Sequence, residues 1–329
     1  DRFLSSLPAG VQVFSLFEQN PRLIDLLAEV CAASPRLAEA LGRSSRVLDA
    51  ILATDFFEPL PDADALTAEL TEWLGREDDY ERQLDAARAW AKEMRFRMGV
   101  QLLRGIAGAE EAGQGFSAIA EAAIRALFPL VEAEFARRHG PPPGRGAAVL
   151  AMGRLGSGEM TATSDLDLIV LYDAAGQESS DGPRPLSSPA WFARFTQALI
   201  SAMTAKTAEG ELYEIDMRLR PSGRQGTVAT SIAGFRDYQA ERAWTWERMA
   251  LTRARPVAGR DDLRADVAAA VEAALRLARP ASEAWTGAAE MRARIAEADK
   301  GGREDPWAMK RHRGGLMDIE FAAQAALLA

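Results

Sequence analysis

The sequence of 329 residues is poor in the residues that mark several classes of protein. Its single cysteine, Cys31, excludes an internal disulfide, and the helical run LIDLLAEVCAASP around it predicts a buried structural thiol. Two histidines, His139 and His312, are too few for a histidine-based zinc site, and the arginines beside them favour surface positions. These shortages exclude a disulfide framework and make zinc chemistry improbable.

Long apolar runs and an excess of basic residues are also missing. No apolar run approaches the roughly 20 residues of a membrane helix, and no charged-then-apolar leader opens the chain. We therefore expect a cytoplasmic protein with no membrane partner. The formal net charge of −9 argues against a protein that wraps nucleic acid, because sequence-independent affinity for phosphate backbones comes from excess Lys and Arg.

Length and composition indicate an ordinary globular chain. A hydrophobic fraction of 48% and a charged fraction of 26% are typical of soluble domains. The length is sufficient for two domains, or three if small ones are counted. The chain starts at Asp1 rather than at a methionine and stops inside an apolar helical run, FAAQAALLA, so we interpret it as a segment of a longer protein.

Helical periodicity dominates the first part of the chain, residues 9–139. The predicted helices cover residues 21–33, 35–41, 46–53, 65–75, 79–104 and 118–138, with candidate caps at Ser44, Asp64, Asp78 and Ser117. A stripe of Trp90, Met94 and Met98 in the longest of them is typical of a helix core. This pattern predicts a helical bundle or array.

Three consecutive prolines in HGPPPGRG, residues 139–146, forbid helix and predict an extended linker at a domain boundary. We accordingly predict a helical region over residues 1–140 and a catalytic domain over residues 147–260. A further helical segment packing on that domain is predicted over residues 261–329.

The sequence AMGRLGSGEMTATSDLDLIVLYD, residues 151–173, contains the central motif. It predicts the end of a strand, a glycine turn, a short polar helical segment and a second strand over residues 166–172. Because side chains alternate across a strand, Asp165 and Asp167 must project to the same face. Two carboxylates so close repel each other unless a cation lies between them.

The following segments supply a third carboxylate. The polar stretch AAGQESSDGPRPLSSP, residues 174–189, predicts a mobile loop, and residues 190–207 predict an amphipathic helix. Residues 211–219, ELYEIDMRL, alternate as in a strand, with Asp216 facing opposite to Ile215 and Met217. Strands and helices in alternation predict a mixed α/β fold in which Asp216 joins the first two carboxylates.

Three hard oxygen ligands beside a glycine turn suit one or two Mg²⁺ ions and a nucleoside triphosphate. Main-chain N–H groups at Gly156, Ser157 and Gly158 could hold the β- and γ-phosphates. Asp165 and Asp167 would hold the metals, and Asp216 would position the one that activates a hydroxyl for in-line attack on the α-phosphate. The alternative is an exposed strand edge with solvated aspartates.

These residues resemble a known family. G-S, a seven-residue spacer, D-L-D and a later strand Asp resemble the DNA polymerase beta-like nucleotidyltransferase superfamily. Four ordered blocks within residues 151–324 are more specific and resemble the glutamine synthetase adenylyltransferases; they read GRLGSGEMTATSDLDLIVLYD, DMRLRPSGRQGTVATS, DYQAERAWTWERMALTRARPVAG and KRHRGGLMDIEFAAQ. The resemblance implies a polymerase beta-like core, a small mixed sheet with helices, between all-α segments.

The resemblance also implies an activity and its partners. Such enzymes carry two catalytic halves, and AWTWERMALTRAR with GGLMDIEFAAQ is closer to the carboxy-terminal half, which adds AMP from ATP to a tyrosine of glutamine synthetase. Mg²⁺ or Mn²⁺, a PII-type signalling protein and glutamine as effector belong to this expectation. By motif position the metal ligands are Asp165, Asp167 and Asp216, and the nucleotide-binding residues are Gly156, Ser157, Gly158, Ser164, Arg218 and Arg220.

Three other functions remain open from the sequence. The same carboxylates could remove AMP with phosphate as the nucleophile. A polymerase or tRNA-tailing enzyme shares the motif, although the acidic balance and the lack of a basic, aromatic-rich groove argue against it. A regulatory module without catalysis is the last possibility.

Several arginines and aromatics have two interpretations. Arg218 and Arg220, at even spacing from Asp216, are predicted to lie on its side, where they bind the triphosphate or compensate the carboxylates. Trp244 and Trp246 are predicted to be packing aromatics rather than adenine platforms.

The last two blocks add further charged candidates. Glu247, Arg253 and Arg255 are predicted to form buried ion pairs or to contact nucleotide. Asp318 and Glu320 are predicted partners of arginines rather than metal ligands, and Lys310 and Arg311 form a solvated basic face or reach phosphate.

Overall fold

The computed structural model describes residues 21–43, 51, 55–298 and 309–329. This part of the chain divides into two compact units. The first, the helical unit, includes the described residues up to Leu127 together with Gly158–Ser164 and Ala202–Glu214. The second, the sheet unit, consists of Phe128–Ser157, Asp165–Ser201 and the described residues from Ile215 onward. The three-domain division of the sequence stays a prediction.

Helices α1 to α4 and most of α5 form the helical unit. They cover Pro21–Ala33, Pro35–Arg43, Ala63–Leu74, Tyr80–Leu103 and Ala109–His139. Asp62 caps α3 by accepting from Ala65 N–H, and Asp79 caps α4 by accepting from the N–H groups of Glu81 and Arg82.

The predicted caps were therefore misplaced where the structure tests them. Asp64 and Asp78 are not the capping residues, and Ser117 lies inside α5, where its hydroxyl donates to Gly113 O. Ser44 and most of the predicted helix 46–53 lie outside the described residues.

The apolar stripe of α1 sets which of its residues are buried. Leu23, Leu26 and Val30 pack against Phe96 of α4 and its neighbours. Cys31 is exposed, about 100° around the helix from Val30 and outside the buried stripe, so the predicted buried thiol was wrong. The predicted core stripe of α4, Trp90, Met94 and Met98, is confirmed as buried.

A buried arginine joins α4 to the segment that follows Ser201 in the helical unit. Arg88 has no solvent exposure, and burial lowers the pKa of its guanidinium. Its N–H groups donate at 2.7 to 2.9 Å to the carbonyl oxygens of Leu84, Ala202, Ala205 and Gly210. These bonds fix the backbone of residues 202–210 against α4.

The sheet unit is built on five strands. They are β1 Gly146–Ala151, β2 Leu166–Asp173, β3 Ile215–Asp216, β4 Ala229–Ser231 and β5 Arg255–Gly259. β2 pairs antiparallel with β1, and β1 pairs antiparallel with β5. On its other edge β2 pairs in parallel with β3 and then with β4. The predicted mixed α/β class is confirmed.

Helices connect or cover these strands. The end of α5 comes first. The helices that follow it are the short α6 Gly153–Ser157, α7 Ser188–Thr204, α8 Ile232–Glu241, α9 Thr245–Leu251, α10 Asp261–Leu275, α11 Ala281–Ala298 and α12 Leu316–Leu328. The last two pack on α9 and on each other. Side chains from β1, β2, α8, α9 and α10 share one apolar core. Tyr172 of β2 stacks on Phe192 of α7 at a centroid distance of 4.2 Å. Among the helices of the described residues, none combines the length and apolar character needed to span a membrane.

Residues 140–145 connect α5 to β1 inside the sheet unit. His139 was predicted at the surface but is 9% exposed, because its Nδ1 lies 2.7 Å from Arg184 O and its ring packs on Phe135. A carbonyl oxygen 45 residues away in the sequence therefore accounts for the buried position of His139. The loop predicted over residues 174–189 contains a bridge between Ser179 and Ser187, and its predicted mobility stays a prediction.

The strand predicted over residues 211–219 is the largest correction to the fold. Only Ile215 and Asp216 are in a strand. Before them, the N–H groups of Leu212 and Tyr213 both donate to Met203 O in the helical unit. After them, the chain turns at once.

Candidate active site

Two strands place three carboxylates together at one end of the sheet. β2 and β3 run parallel with Asp167 opposite Asp216, and Asp165 stands two residues before Asp167. One oxygen from each of the three carboxylates lies within 4.8 Å of the others. The structure thus brings together the three aspartates that the sequence predicts as metal ligands; we name them the aspartate cluster.

The electrostatics of the aspartate cluster favour a bound cation. Burial, together with the negative charges of Asp165 and Asp216, raises the pKa of Asp167 from 3.8 to about 6. The positive charges of Arg218 and Lys310 oppose this rise. Because the ligand atoms are carboxylate oxygens, the donor set fits a hard divalent cation such as Mg²⁺.

Arg218 compensates part of this charge. Its backbone N–H donates to Asp216 Oδ1 at 2.8 Å and its Nε donates to Asp216 Oδ2 at 2.6 Å. The prediction that Arg218 lies on the side of Asp216 is therefore confirmed. Arg220 does not follow the same alternation, because the strand ends at Asp216; its NH1 donates to Met217 O at 2.7 Å.

The glycine turn is the short helix α6. Gly153 has φ +53°, and a Cβ built there would lie 2.2 Å from Asp167 Oδ2. A Cβ at Gly156 would lie 1.7 Å from Arg253 O, so this glycine permits the close approach of two backbone segments. Gly156 N–H donates to Met152 O at 3.0 Å.

Ser157 is the last residue of α6, and its hydroxyl is hydrogen-bonded within the protein. Its hydroxyl lies 3.2 Å from Gly153 O, to which it donates, and accepts from Arg253 Nε at 3.2 Å and Arg253 NH2 at 2.9 Å. The other two residues predicted to bind phosphate are Gly158 and Ser164. They are the first and last residues of the segment Gly158–Ser164, which belongs to the helical unit. Within that segment Ser164 Oγ accepts from Thr161 N–H at 3.0 Å.

The carboxylates of α12 pair with arginines, as predicted. Asp318 forms an ion pair with Arg292 and accepts from Gly314 N–H at 2.6 Å, and Glu320 Oε1 lies 3.3 Å from Arg253 NH1. These contacts attach α12 to the loop that carries Lys310 and to the glycine turn.

The predictions for the α9 block are mixed. Trp246 packs against the apolar cluster of α9, α11 and α12, as predicted, whereas Trp244 is 58% exposed. The buried Glu247 accepts from Tyr238 Oη at 2.9 Å and from Trp244 N–H at 2.8 Å, so its hydrogen-bond partners are neutral groups rather than the arginine of a predicted ion pair. Burial raises the pKa of Glu247, and its hydrogen bonds and the charge of Arg248 oppose that rise.

Comparison with known proteins gives a consistent result. Residues 24–270 match the family model described as glutamate-ammonia ligase adenylyltransferase. The whole chain is 48% identical over 329 residues to the bifunctional glutamine synthetase adenylyltransferase/adenylyl-removing enzyme of Mesorhizobium japonicum and covers 33% of that protein. The enzymes of the same name from Brucella suis and Xanthobacter autotrophicus are each 47% identical over the full chain, again with 33% of the relative covered. The chain therefore spans about a third of the length of these relatives, and it belongs to the glutamate-ammonia ligase adenylyltransferase family.

Proposed function

We propose that this chain is a protein nucleotidyltransferase that moves AMP from ATP to a tyrosine hydroxyl of glutamine synthetase. The observation that carries the proposal is the aspartate cluster, with three carboxylate oxygens within 4.8 Å of one another. The relatives are glutamine synthetase adenylyltransferases by name, which supports the substrate and the reaction. We also assign the sheet and its helices to a polymerase beta-like nucleotidyltransferase core, because that core presents carboxylates from neighbouring strands.

The aspartate cluster would hold one or two Mg²⁺ ions, with Mn²⁺ as a substitute. When bound, these ions would neutralise charge on the triphosphate and lower the pKa of the attacking hydroxyl. The raised pKa of Asp167, about 6, supports the fit, because a bound cation would stabilise the carboxylate charge that burial, and then repulsion by Asp165 and Asp216, disfavours.

The other residues of the chain would orient the nucleotide. By motif position we assign Gly156, Ser157, Gly158 and Ser164 to phosphate binding. We assign Arg218 and Arg220 to charge compensation at the phosphates. The tyrosine hydroxyl would attack the α-phosphate from the side opposite to the leaving pyrophosphate. We further propose that glutamine and a PII-type signalling protein regulate the reaction and that nucleic acid has no part in it.

Isotope transfer tests this function. Glutamine synthetase incubated with the chain and Mg²⁺ should incorporate label from α-labelled ATP and none from γ-labelled ATP. Asp165→Asn should abolish incorporation, because the variant loses one of the three charged ligands. Asp261→Asn is the matched control, since that carboxylate is exposed at the start of α10. Incorporation that survives Asp165→Asn, or label from the γ-position, would contradict the proposal.

Phosphorolytic removal of AMP is the second candidate. The names of the relatives include an adenylyl-removing activity, and the chain spans only about a third of them. In that case adenylylated glutamine synthetase should release ADP only when phosphate is added. Label transfer from ATP together with no phosphate-dependent ADP would exclude this candidate.

A further inference from the structure

Arg253 connects the glycine turn to α12. Its Nε and NH2 donate to Ser157 Oγ, and its NH1 lies 3.3 Å from Glu320 Oε1. The side chain of Arg253 is 17% exposed, whereas that of Glu320 is 44% exposed. The guanidinium is thus largely enclosed, while its carboxylate partner borders solvent.

The position of Arg253 is fixed relative to the aspartate cluster. Gly153, at the start of α6, lies against Asp167, and Ser157 Oγ lies 3.2 Å from Gly153 O. Only the single turn of α6 separates the guanidinium from the cluster. The backbone of Arg253 also packs on Gly156, which sets the arginine close to the turn.

The guanidinium of Arg253 contacts a hydroxyl and a carboxylate, which are groups that a phosphate can replace. A guanidinium pairs with carboxylate and phosphate oxygens through the same fork of N–H groups. A triphosphate carries more negative charge than Glu320, and Glu320 is exposed enough to turn into solvent.

We infer that Arg253 binds the β- or γ-phosphate of the nucleotide, and that Glu320 is the placeholder which holds Arg253 until the nucleotide displaces it. The inference rests on the proposed function, which supplies a nucleoside triphosphate to this site. Arg253 therefore selects triphosphates over AMP, and nucleotide binding breaks one contact between α12 and the glycine turn.

Calorimetric titration of the full chain with Mg-ATP and, separately, with AMP tests this inference. Arg253→Ala should weaken ATP binding by about tenfold to a hundredfold, the effect of losing charged hydrogen bonds, and should change AMP binding by less than about twofold. Glu320→Gln should tighten ATP binding several-fold, because the competing charge is removed, and should leave AMP binding unchanged. In the Arg253→Ala background Glu320→Gln should have no effect on ATP binding.

An exposed ion pair provides matched controls; it joins Glu272 of α10 to Arg276, the residue that follows this helix. Arg276→Ala and Glu272→Gln should alter neither affinity. A purely structural role for Arg253 would weaken AMP and ATP binding equally and lower the melting temperature, and that result would overturn the inference. Weaker ATP binding by Glu320→Gln would also overturn it.

The titration separates this inference from the function on which it rests. If the unmodified chain shows no saturable Mg-ATP binding, both fall. If it binds Mg-ATP and loses that binding on Asp167→Asn, while Arg253→Ala binds normally, the function stands and only the role of Arg253 is rejected.

Discussion

Replacing Asp167 by asparagine should stabilise the metal-free protein at neutral pH. The pKa of Asp167 is raised from 3.8 to about 6 by burial and by the two neighbouring carboxylates. A shift of about 2 pKa units corresponds to about 3 kcal/mol between the two ionisation states. Because the side chain is only half-buried, solvent screening reduces the expected effect to about 1 to 2 kcal/mol.

The sign of this effect follows from proton binding. The native state holds the Asp167 proton more tightly than the unfolded chain, so the associated stability is present below about pH 4 and is lost as the pH rises through about 6. Asparagine does not ionise in this range. The unmodified chain should therefore lose stability between pH 4 and pH 7, whereas Asp167→Asn should not lose this contribution. The free energy of unfolding of the variant, relative to that of the unmodified chain, should rise by about 1 to 2 kcal/mol over this range.

Urea titrations in the presence of EDTA over this pH range measure that difference. Added Mg²⁺ should stabilise the unmodified chain at pH 7 and should have little effect on the variant, because the variant has lost a charged ligand. Asp261→Asn again serves as the control. A difference that stays constant with pH, or a variant less stable than the unmodified chain at pH 7, would refute the proposed repulsion at the aspartate cluster.

Three further experiments test the packing around the site and in the helical unit. Gly156→Ala should cost about 3 kcal/mol in urea titrations, because its Cβ would lie 1.7 Å from a backbone oxygen, whereas Gly158→Ala, with open space at φ +76°, should cost about 1 kcal/mol. Equal losses would contradict this packing. Arg88→Met should cost about 3 kcal/mol in the same assay, since it leaves buried carbonyl oxygens without donors; a loss below 1 kcal/mol would argue against their burial. Cys31 should react with a thiol reagent in the native chain about as fast as in urea, and protection in the native state would show that it is covered.

The central motif could be predicted from the sequence because its geometry is local. The period of two in a strand sets Asp165 and Asp167 on one side, and the glycine turn links two consecutive antiparallel strands. Asp216 was placed correctly for a weaker reason. Its strand is two residues long rather than nine, yet those two residues include the one that pairs with Asp167.

Predictions that depended on non-local neighbours were less successful. The strand is shortened by hydrogen bonds from Leu212 and Tyr213 to a helix carbonyl before it and by the turn after Asp216. Alternation therefore does not reach Arg218 or Arg220; Arg218 contacts Asp216 through the turn, whereas Arg220 donates to Met217 O. His139 was predicted at the surface from its arginine neighbours, whereas a carbonyl oxygen distant in sequence holds it inside. Composition around a residue does not reveal such partners.

The glycine turn shows how one pattern can satisfy two physical demands. The sequence assigns Gly156 to phosphate binding, but the structure adds a packing reason, since the backbone of Arg253 occupies the space of a side chain. A loss of activity in Gly156→Ala would therefore have two explanations. The variant could lose a phosphate contact, or its new methyl group could displace the backbone at Arg253. Ser157→Ala can separate these explanations, because it keeps the backbone and removes only the hydroxyl that accepts from Arg253. If the phosphate contacts come from backbone N–H groups alone, Ser157→Ala should bind Mg-ATP normally; if Ser157 also positions Arg253, ATP binding should weaken while AMP binding does not.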